Sequence, residues 1–261
     1  PLLSAVPTPG IMQATRTGRG GADVSILSER FQAEGPPQEE APPQQSSPGE
    51  AEGAEEKPRY YYPNKIGRAY LLALEEVMGR RGLVAVLNLA GLRHWIEAYP
   101  SNNLAREVLF DDFAALNQAL DDMYGPRGGR GLAIRAARAA FAIARDDFSA
   151  VAGVAGAAFK LLPLGTRLKI GLPGMARVFT QFSDQTSWVR EEEDRFVYVI
   201  ERCPVCWGRK ADRPICHAAV GLLREGIIWA TGREYRVEEF ECVARGDATC
   251  RFAIYKEPAE P

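Results

Sequence analysis

The stretch Arg195-Phe196-Val197-Tyr198-Val199-Ile200-Glu201-Arg202-Cys203-Pro204-Val205-Cys206 divides the chain into two kinds of sequence. Phe196, Tyr198 and Ile200 alternate with Val197, Val199 and Glu201, the pattern of a strand that is apolar on both faces at its middle. Upstream, from Pro63 to about Gln185, apolar residues recur at helical spacing instead. A helical first half that gives way here to a strand, a helix and a hairpin is an α+β arrangement.

Working outward toward the N-terminus, Ile66, Tyr70, Leu74 and Val77 fall on one helical stripe, with Gly79 and Gly82 as a stop and restart. A second helix is expected from Leu83 to about Ala98, ended by Tyr99-Pro100, and Asn102-Asn103 opens a loop. Phe110 to Tyr124 reads as the next helix. Gly125-Pro126-Arg127-Gly128-Gly129-Arg130-Gly131 is expected to be an interhelical turn, because Pro and Gly favour turn geometry. Ile134, Ala137, Phe141, Ala144 and Phe148 form another stripe, with Arg135, Arg138 and Arg145 off it. Small residues from Ala150 to Ala158 would let a further helix pack closely. Leu168 to about Gln185 is the last helical candidate, with Leu172-Pro173-Gly174 as a point of interruption.

Downstream of the strand lies a Cys-rich loop, 203–215, and then a helix from Ile215 to about Thr231 with Gly232 as its stop. Two strands, Tyr235–Val243 and Thr249–Lys256, close the chain as a hairpin.

The 261 residues carry 34 acidic and 32 basic side chains, for a net charge of −2. The average hides an asymmetry. Only Phe31 among the aromatic residues, and none of the cysteines, precedes residue 59. Residues 1–58 hold nine acidic and four basic side chains. Rich in Pro, Glu and Gln, they offer too little apolar surface to offset an ordering cost of ~1–2 kcal/mol per residue. They read as a disordered acidic tail, followed by a helical region over 59–186 and an α+β region over 187–261. The start, Pro1-Leu2-Leu3-Ser4, lacks the basic n-region of a secretory signal. The longest uncharged apolar stretch, Phe148–Phe159, falls short of the ~20 residues of a membrane span. A cytoplasmic protein without a membrane span is expected.

All five cysteines fall within 48 residues, as Cys203, Cys206, Cys216, Cys242 and Cys250. In the hairpin, Cys242 and Cys250 share parity with Phe240, Phe252 and Ile254, so both thiols are expected on the inward face at the turn end. Cys216 opens a helix, where the positive dipole end favours thiolate. Cys203-x2-Cys206 is a knuckle whose two sulfurs can reach one ion. A closed zinc site takes four such ligands, and here there are five candidates. An iron–sulfur cluster takes the same residues, and plain buried cysteines are the bland reading. Disulfides fit poorly with an odd count and no export signal. His217, next to Cys216 on a helix, points about 100° away from it; His94 reads as a packed or surface histidine.

Ile215-Cys216-His217-Ala218-Ala219-Val220-Gly221-Leu222-Leu223-Arg224-Glu225-Gly226, followed by Glu239-Phe240-Glu241-Cys242-Val243-Ala244-Arg245-Gly246-Asp247-Ala248-Thr249-Cys250, resembles the 4-vinyl reductase domain family. The pattern is a Cys leading a Gly-spaced helix, then Glu-x2-Cys, then Gly and a second Cys. The resemblance covers about residues 187–257. Asn64-Lys65-Ile66-Gly67-Arg68 and Leu87-Asn88-Leu89-Ala90-Gly91-Leu92 look, more loosely, like the N-terminal part of longer members. The family includes a protein of bacteriochlorophyll synthesis, archaeal hydrocarbon-binding proteins and the sensory domains of aromatic-responsive activators. The resemblance implies that Cys216, Cys242 and Cys250 ligate zinc. For the fourth place the aromatic sensors use a Glu on the preceding strand, whereas this sequence offers Cys203 and Cys206. Glu201 is a further candidate, and Glu239 is expected to anchor the hairpin.

Two functions follow. One is a zinc-stabilised module that binds a small hydrophobic, aromatic or tetrapyrrole ligand as a sensor or chaperone, with Trp188, Phe196, Tyr198, Trp207 and Trp229 as candidate wall residues. The other is a reductase, or a reductase-associated protein, acting on a vinyl group, with an iron–sulfur centre as its redox group. No G-x-G-x-x-G follows a strand, no catalytic residue is assigned, and an enzyme is the less favoured reading. Arg202, Arg209, Lys210 and Arg213 surround the first three cysteines, yet the balance of charge over 59–261 is only slightly positive, so nucleic acid is not an expected partner. A homodimer is compatible with all of this.

Overall fold

The computed structural model describes residues 58–148, 152 and 157–259. The acidic tail lies outside the described residues apart from Pro58, as does most of the small-residue stretch 150–158.

A short strand, Tyr61–Pro63 (β1), leads into the helix Asn64–Leu89 (α1), which bends where Gly79 adopts φ 77° and ψ 158°. The second helix does not reach Ala98. It ends at Leu89, because Gly91, at φ 76°, turns the chain, and only His94–Glu97 (α2) resumes helical geometry. The strand Arg106–Leu109 (β2) then pairs antiparallel with β1, a ribbon that the sequence reading did not anticipate.

The helix Phe110–Phe148 (α3) corrects the expected turn at 125–131. Only Gly125 leaves helical geometry, at φ 71° and ψ 167°, and the helix restarts at once. Pro126 makes this possible. A first-turn residue needs no N–H partner, and the proline ring already holds a helical φ. Gly129 then lies so close to Asp121 across the bend that a Cβ would stand 2.8 Å from the Asp121 Cα. A short helix, Ala157–Leu161 (α4), precedes Leu164–Phe182 (α5), which runs through Pro173 without the expected interruption.

The second half opens with an unanticipated strand, Ser187–Glu191 (β3), followed by Arg195–Ile200 (β4), the helix His217–Thr231 (α6) and the strands Tyr235–Glu241 (β5) and Cys250–Pro258 (β6). They form one antiparallel sheet in the order β3-β4-β6-β5. Gly232, at φ 73°, ends α6 as its sequence suggested. The fold is thus α+β, with a helical N-terminal half and the sheet in the C-terminal half.

Phe196, Tyr198 and Ile200 of β4, with Phe252 and Ile254 of β6, join the main core beneath the helices. On the other face Val199 lies between Trp188 and Arg251 across the ladder, and Val197 between Arg190 and Ala253. Large side chains with long apolar bodies therefore cover that face, which explains why β4 is apolar on both sides. α6 rests on α3 at backbone contact: a Cβ on Gly221 would stand 2.8 Å from the Ile134 Cα. Among the described residues no helix is long and apolar enough to cross a membrane.

Candidate functional site

Four elements of the C-terminal half deliver the five cysteines to one place. The loop after β4 carries Cys203 and Cys206. Cys216 caps α6, Cys242 follows β5, and Cys250 begins β6 opposite Ile200. All five thiols are free and buried. The Sγ···Sγ separations are 3.5 Å for Cys203–Cys216 and Cys206–Cys250, and 3.7 Å for Cys216–Cys242 and Cys216–Cys250. These are far longer than a disulfide bond of ~2.05 Å. Four sulfurs ~2.3 Å from a tetrahedral ion would stand about 3.8 Å apart, close to what is found.

The donors fall into two sets, each with its ligand atoms within 4.8 Å of one another. One holds Cys203, Cys206, Cys216 and Cys250, and the other holds Cys216, Glu239, Cys242 and Cys250. Cys216 and Cys250 belong to both. This buried cluster has the donors and spacing to hold a metal ion.

Glu239 comes inward because β5 bulges. Glu239 pairs with Phe252, but Glu241 pairs with Arg251, so Phe240 is the extra residue and resets the alternation. The expectation that Phe240 shares the inward face with Cys242 is therefore corrected: Phe240 is partly exposed, beneath the Arg195 guanidinium, and Glu239 occupies the inward register. One Glu239 oxygen accepts the Cys216 backbone N–H at 2.7 Å, which fixes the hairpin to the start of α6 as expected. Its other oxygen, Oε1, is buried without a hydrogen-bond partner.

Backbone donors hold the loop ends. The Cys242 N–H donates to Asp247 at 2.8 Å, and the Val243 N–H reaches the Cys250 sulfur at 3.4 Å. Burial pushes the Cys203 thiol up to about 11, and burial with the neighbouring Cys242 pushes the Glu239 carboxyl up to about 9. Donation from Cys203 and the other thiols holds Cys206 well below the usual thiol range. So dense a set of buried acids resists ionising together, and a cation among them would reverse that. Glu201 stands apart, exposed, and accepts the Trp188 indole N–H at 3.1 Å. His217 is in neither set; desolvation lowers its pKa to about 4.

Two apolar cavities adjoin the cluster. The larger, about 110 Å³, lies among α3, α5 and α6, with Phe141, Leu172, Met175 and Trp229 in its walls and Arg145 and Arg167 at its edge. The smaller, about 60 Å³, lies between the helices and β4 and is bounded by Tyr198, Gln185 and Cys203. Ile66, Ala140, Phe179 and Leu222 form walls of both. The Tyr198 hydroxyl is buried without a partner, whereas the neighbouring Tyr62 hydroxyl donates to Gln185.

Of the five aromatic residues proposed for a pocket, Trp229 and Tyr198 thus border cavities. Phe196 is core. Trp207 packs edge-on to Tyr60 at 5.0 Å, and Trp188, 40% exposed, lies on the outer face of the sheet. Two arginines of the basic loop serve internal contacts. Arg209 pairs with Asp121 at 2.7 Å, and Arg202 donates to Thr186 and lies over the Tyr60 ring.

The stretch from β4 through β6, which carries all of these cysteines, matches a known family model. Residues 196–256 match the 4-vinyl reductase domain. The matched segment thus begins at Phe196 and takes in the whole cluster. No curated protein matches the chain. Among solved structures, a doubly substituted Tt H-NOX protein is similar over 76% of this chain and 97% of its own, at 16% identity and a TM-score of 0.50. An H-NOX protein from K. algicida, Fe(II) unliganded, covers the same shares at 14% identity and a TM-score of 0.46. A vinyl-4-reductase family protein from Methanocaldococcus jannaschii is similar over 46% of this chain and 78% of its own, at 17% identity and a TM-score of 0.29. The likeness to the Tt H-NOX protein is one of fold: the helical half and the sheet together, beyond the family-matched segment alone.

Proposed function

We propose that this chain is a small-molecule binding domain, a sensor or chaperone-like module, whose C-terminal half is locked by zinc. The observation that carries the reading is the larger apolar cavity, framed by α3, α5 and α6 and sharing four wall residues with the one that touches Cys203. An apolar cavity of ~150 Å³ in another protein takes up benzene. At about 110 Å³, this one suits a small hydrocarbon or a single aromatic ring better than a tetrapyrrole.

Zinc is favoured by thiolate donors in near-tetrahedral spacing and by a closed setting. An iron–sulfur cluster interposes iron and sulfide between its cysteines and holds their sulfurs well apart; separations of 3.5–3.7 Å suit direct ligation instead. A site saturated by protein donors leaves no position for substrate, so the metal is structural.

Toluene is the test ligand. It should raise the melting temperature of the zinc-loaded protein in a saturable way. Ala144→Phe, which fills the cavity, should abolish that rise while leaving the circular dichroism spectrum intact. No stabilisation of the wild type, or equal stabilisation of both proteins, would refute the cavity as the binding site.

A further inference from the structure

A single tetrahedral ion uses four donors, yet six converge here. If it sat in the first set, Cys242 and Glu239 would be left over; in the second, Cys203 and Cys206 would be. The remainder is hard to dismiss, because Glu239 keeps a buried oxygen without a hydrogen-bond partner. A buried acid with no cation beside it carries a large desolvation cost.

We propose that the cluster is a two-metal site in which Cys216 and Cys250 bridge two zinc ions, Cys203 and Cys206 complete one, and Glu239 and Cys242 complete the other. The arrangement is that of two tetrahedra sharing an edge. The shared edge is the Cys216–Cys250 separation of 3.7 Å, and the unshared donors belong to different sets. A thiolate sulfur has lone pairs for two cations, so bridging needs no further residue. Charge also permits it. Five thiolates and a carboxylate around two Zn²⁺ leave −2, the same as four thiolates around one. The second ion therefore brings in two further acids at no increase in net buried charge, and it supplies the missing partner of Glu239. Each terminal pair is contributed by its own short segment, Cys203-x2-Cys206 or Glu239-x2-Cys242, so the two halves can be perturbed separately.

This inference rests on the zinc reading above, and the test separates the two. The full chain, purified in zinc, is analysed by native mass spectrometry and elemental analysis, then exchanged with cadmium for NMR. Two ions per chain are expected, giving two cadmium resonances split by mutual coupling through the shared sulfurs. Cys206→Ser and Glu239→Gln should each reduce the count toward one. Because the cadmium coupling is read on the wild type, a variant that fails to fold does not spoil the test. Two uncoupled cadmium signals would overturn the bridge. One ion per chain would overturn the two-metal site and leave the structural zinc standing, and no ion would overturn both.

Discussion

Arg209 illustrates how a side chain legible only as surface charge becomes structural. In sequence it sits among Arg202, Lys210 and Arg213 and looks like part of a solvated patch. In the fold its side chain is 7% exposed, pairs with Asp121, and donates to Gln118 at 2.9 Å and to the Val205 carbonyl at 3.2 Å. It fastens the cysteine loop to α3. Removing one member of such a buried pair strands the other, at a cost of ~3–5 kcal/mol. Arg209→Ala should lower stability by about that amount in denaturant unfolding, and a loss within ~0.5 kcal/mol would show the pair to be idle. Glu239 was half legible. Its spacing from Cys242 marked it as an anchor, but simple alternation placed Phe240 on the inward face. A single inserted residue reverses that parity, and no local feature of Glu238-Glu239-Phe240-Glu241 announces the bulge.

Elements were readable in proportion to their length and regularity. The stripes of α1 and α3 and the alternation of β4 persist long enough to stand out, and Gly232 sits where a left-handed cap is needed. β1 and β2, of three and four residues, carry no resolvable period. Their pairing is fixed by distant contacts, such as the Tyr61 N–H to Asp184 at 2.8 Å. Gly125 to Gly131 misled because proline and glycine breakers also make a compact restart when Pro falls at the first helical position. Gly221, by contrast, has a role visible only in three dimensions, as the point where α6 meets the α3 backbone at Ile134. Gly221→Ala gains helix propensity locally, yet its methyl has no room, and overpacking of this kind costs ~1–3 kcal/mol. A lowered melting temperature is therefore expected, and an unchanged or raised one would mean that the helices separate freely.

For the molecule as a whole, thiolate ligation links folding to pH and to metal. In the loaded state each bound thiol stays ionised below its ordinary ~8.5, so the folded-state pKa is depressed relative to the unfolded chain. Stability from the metal is then present above that unfolded value and is lost as pH falls. Acidification should release the ion and erase the difference between loaded and chelated protein, as read by zinc release to a chromogenic chelator alongside circular dichroism. An equal difference at pH 4 and pH 8 would exclude thiolate ligation. The cysteine cluster was the most legible functional feature of the sequence, because five thiols within 48 residues are improbable on packing grounds alone. The cavities were not legible, because residues such as Phe141, Leu172 and Trp229 have the same apolar character in a wall as in a core.

The most direct test is thermal unfolding of the purified chain with its zinc counted, before and after stripping with a strong chelator at neutral pH. Zinc bound in a colourless protein, and a melting temperature that falls by about 10 °C or more on stripping and returns when zinc is restored, is the expected result; at ~2–4 °C per kcal/mol this corresponds to several kcal/mol. A protein without zinc as purified, or one that melts at the same temperature with and without it, would contradict the account.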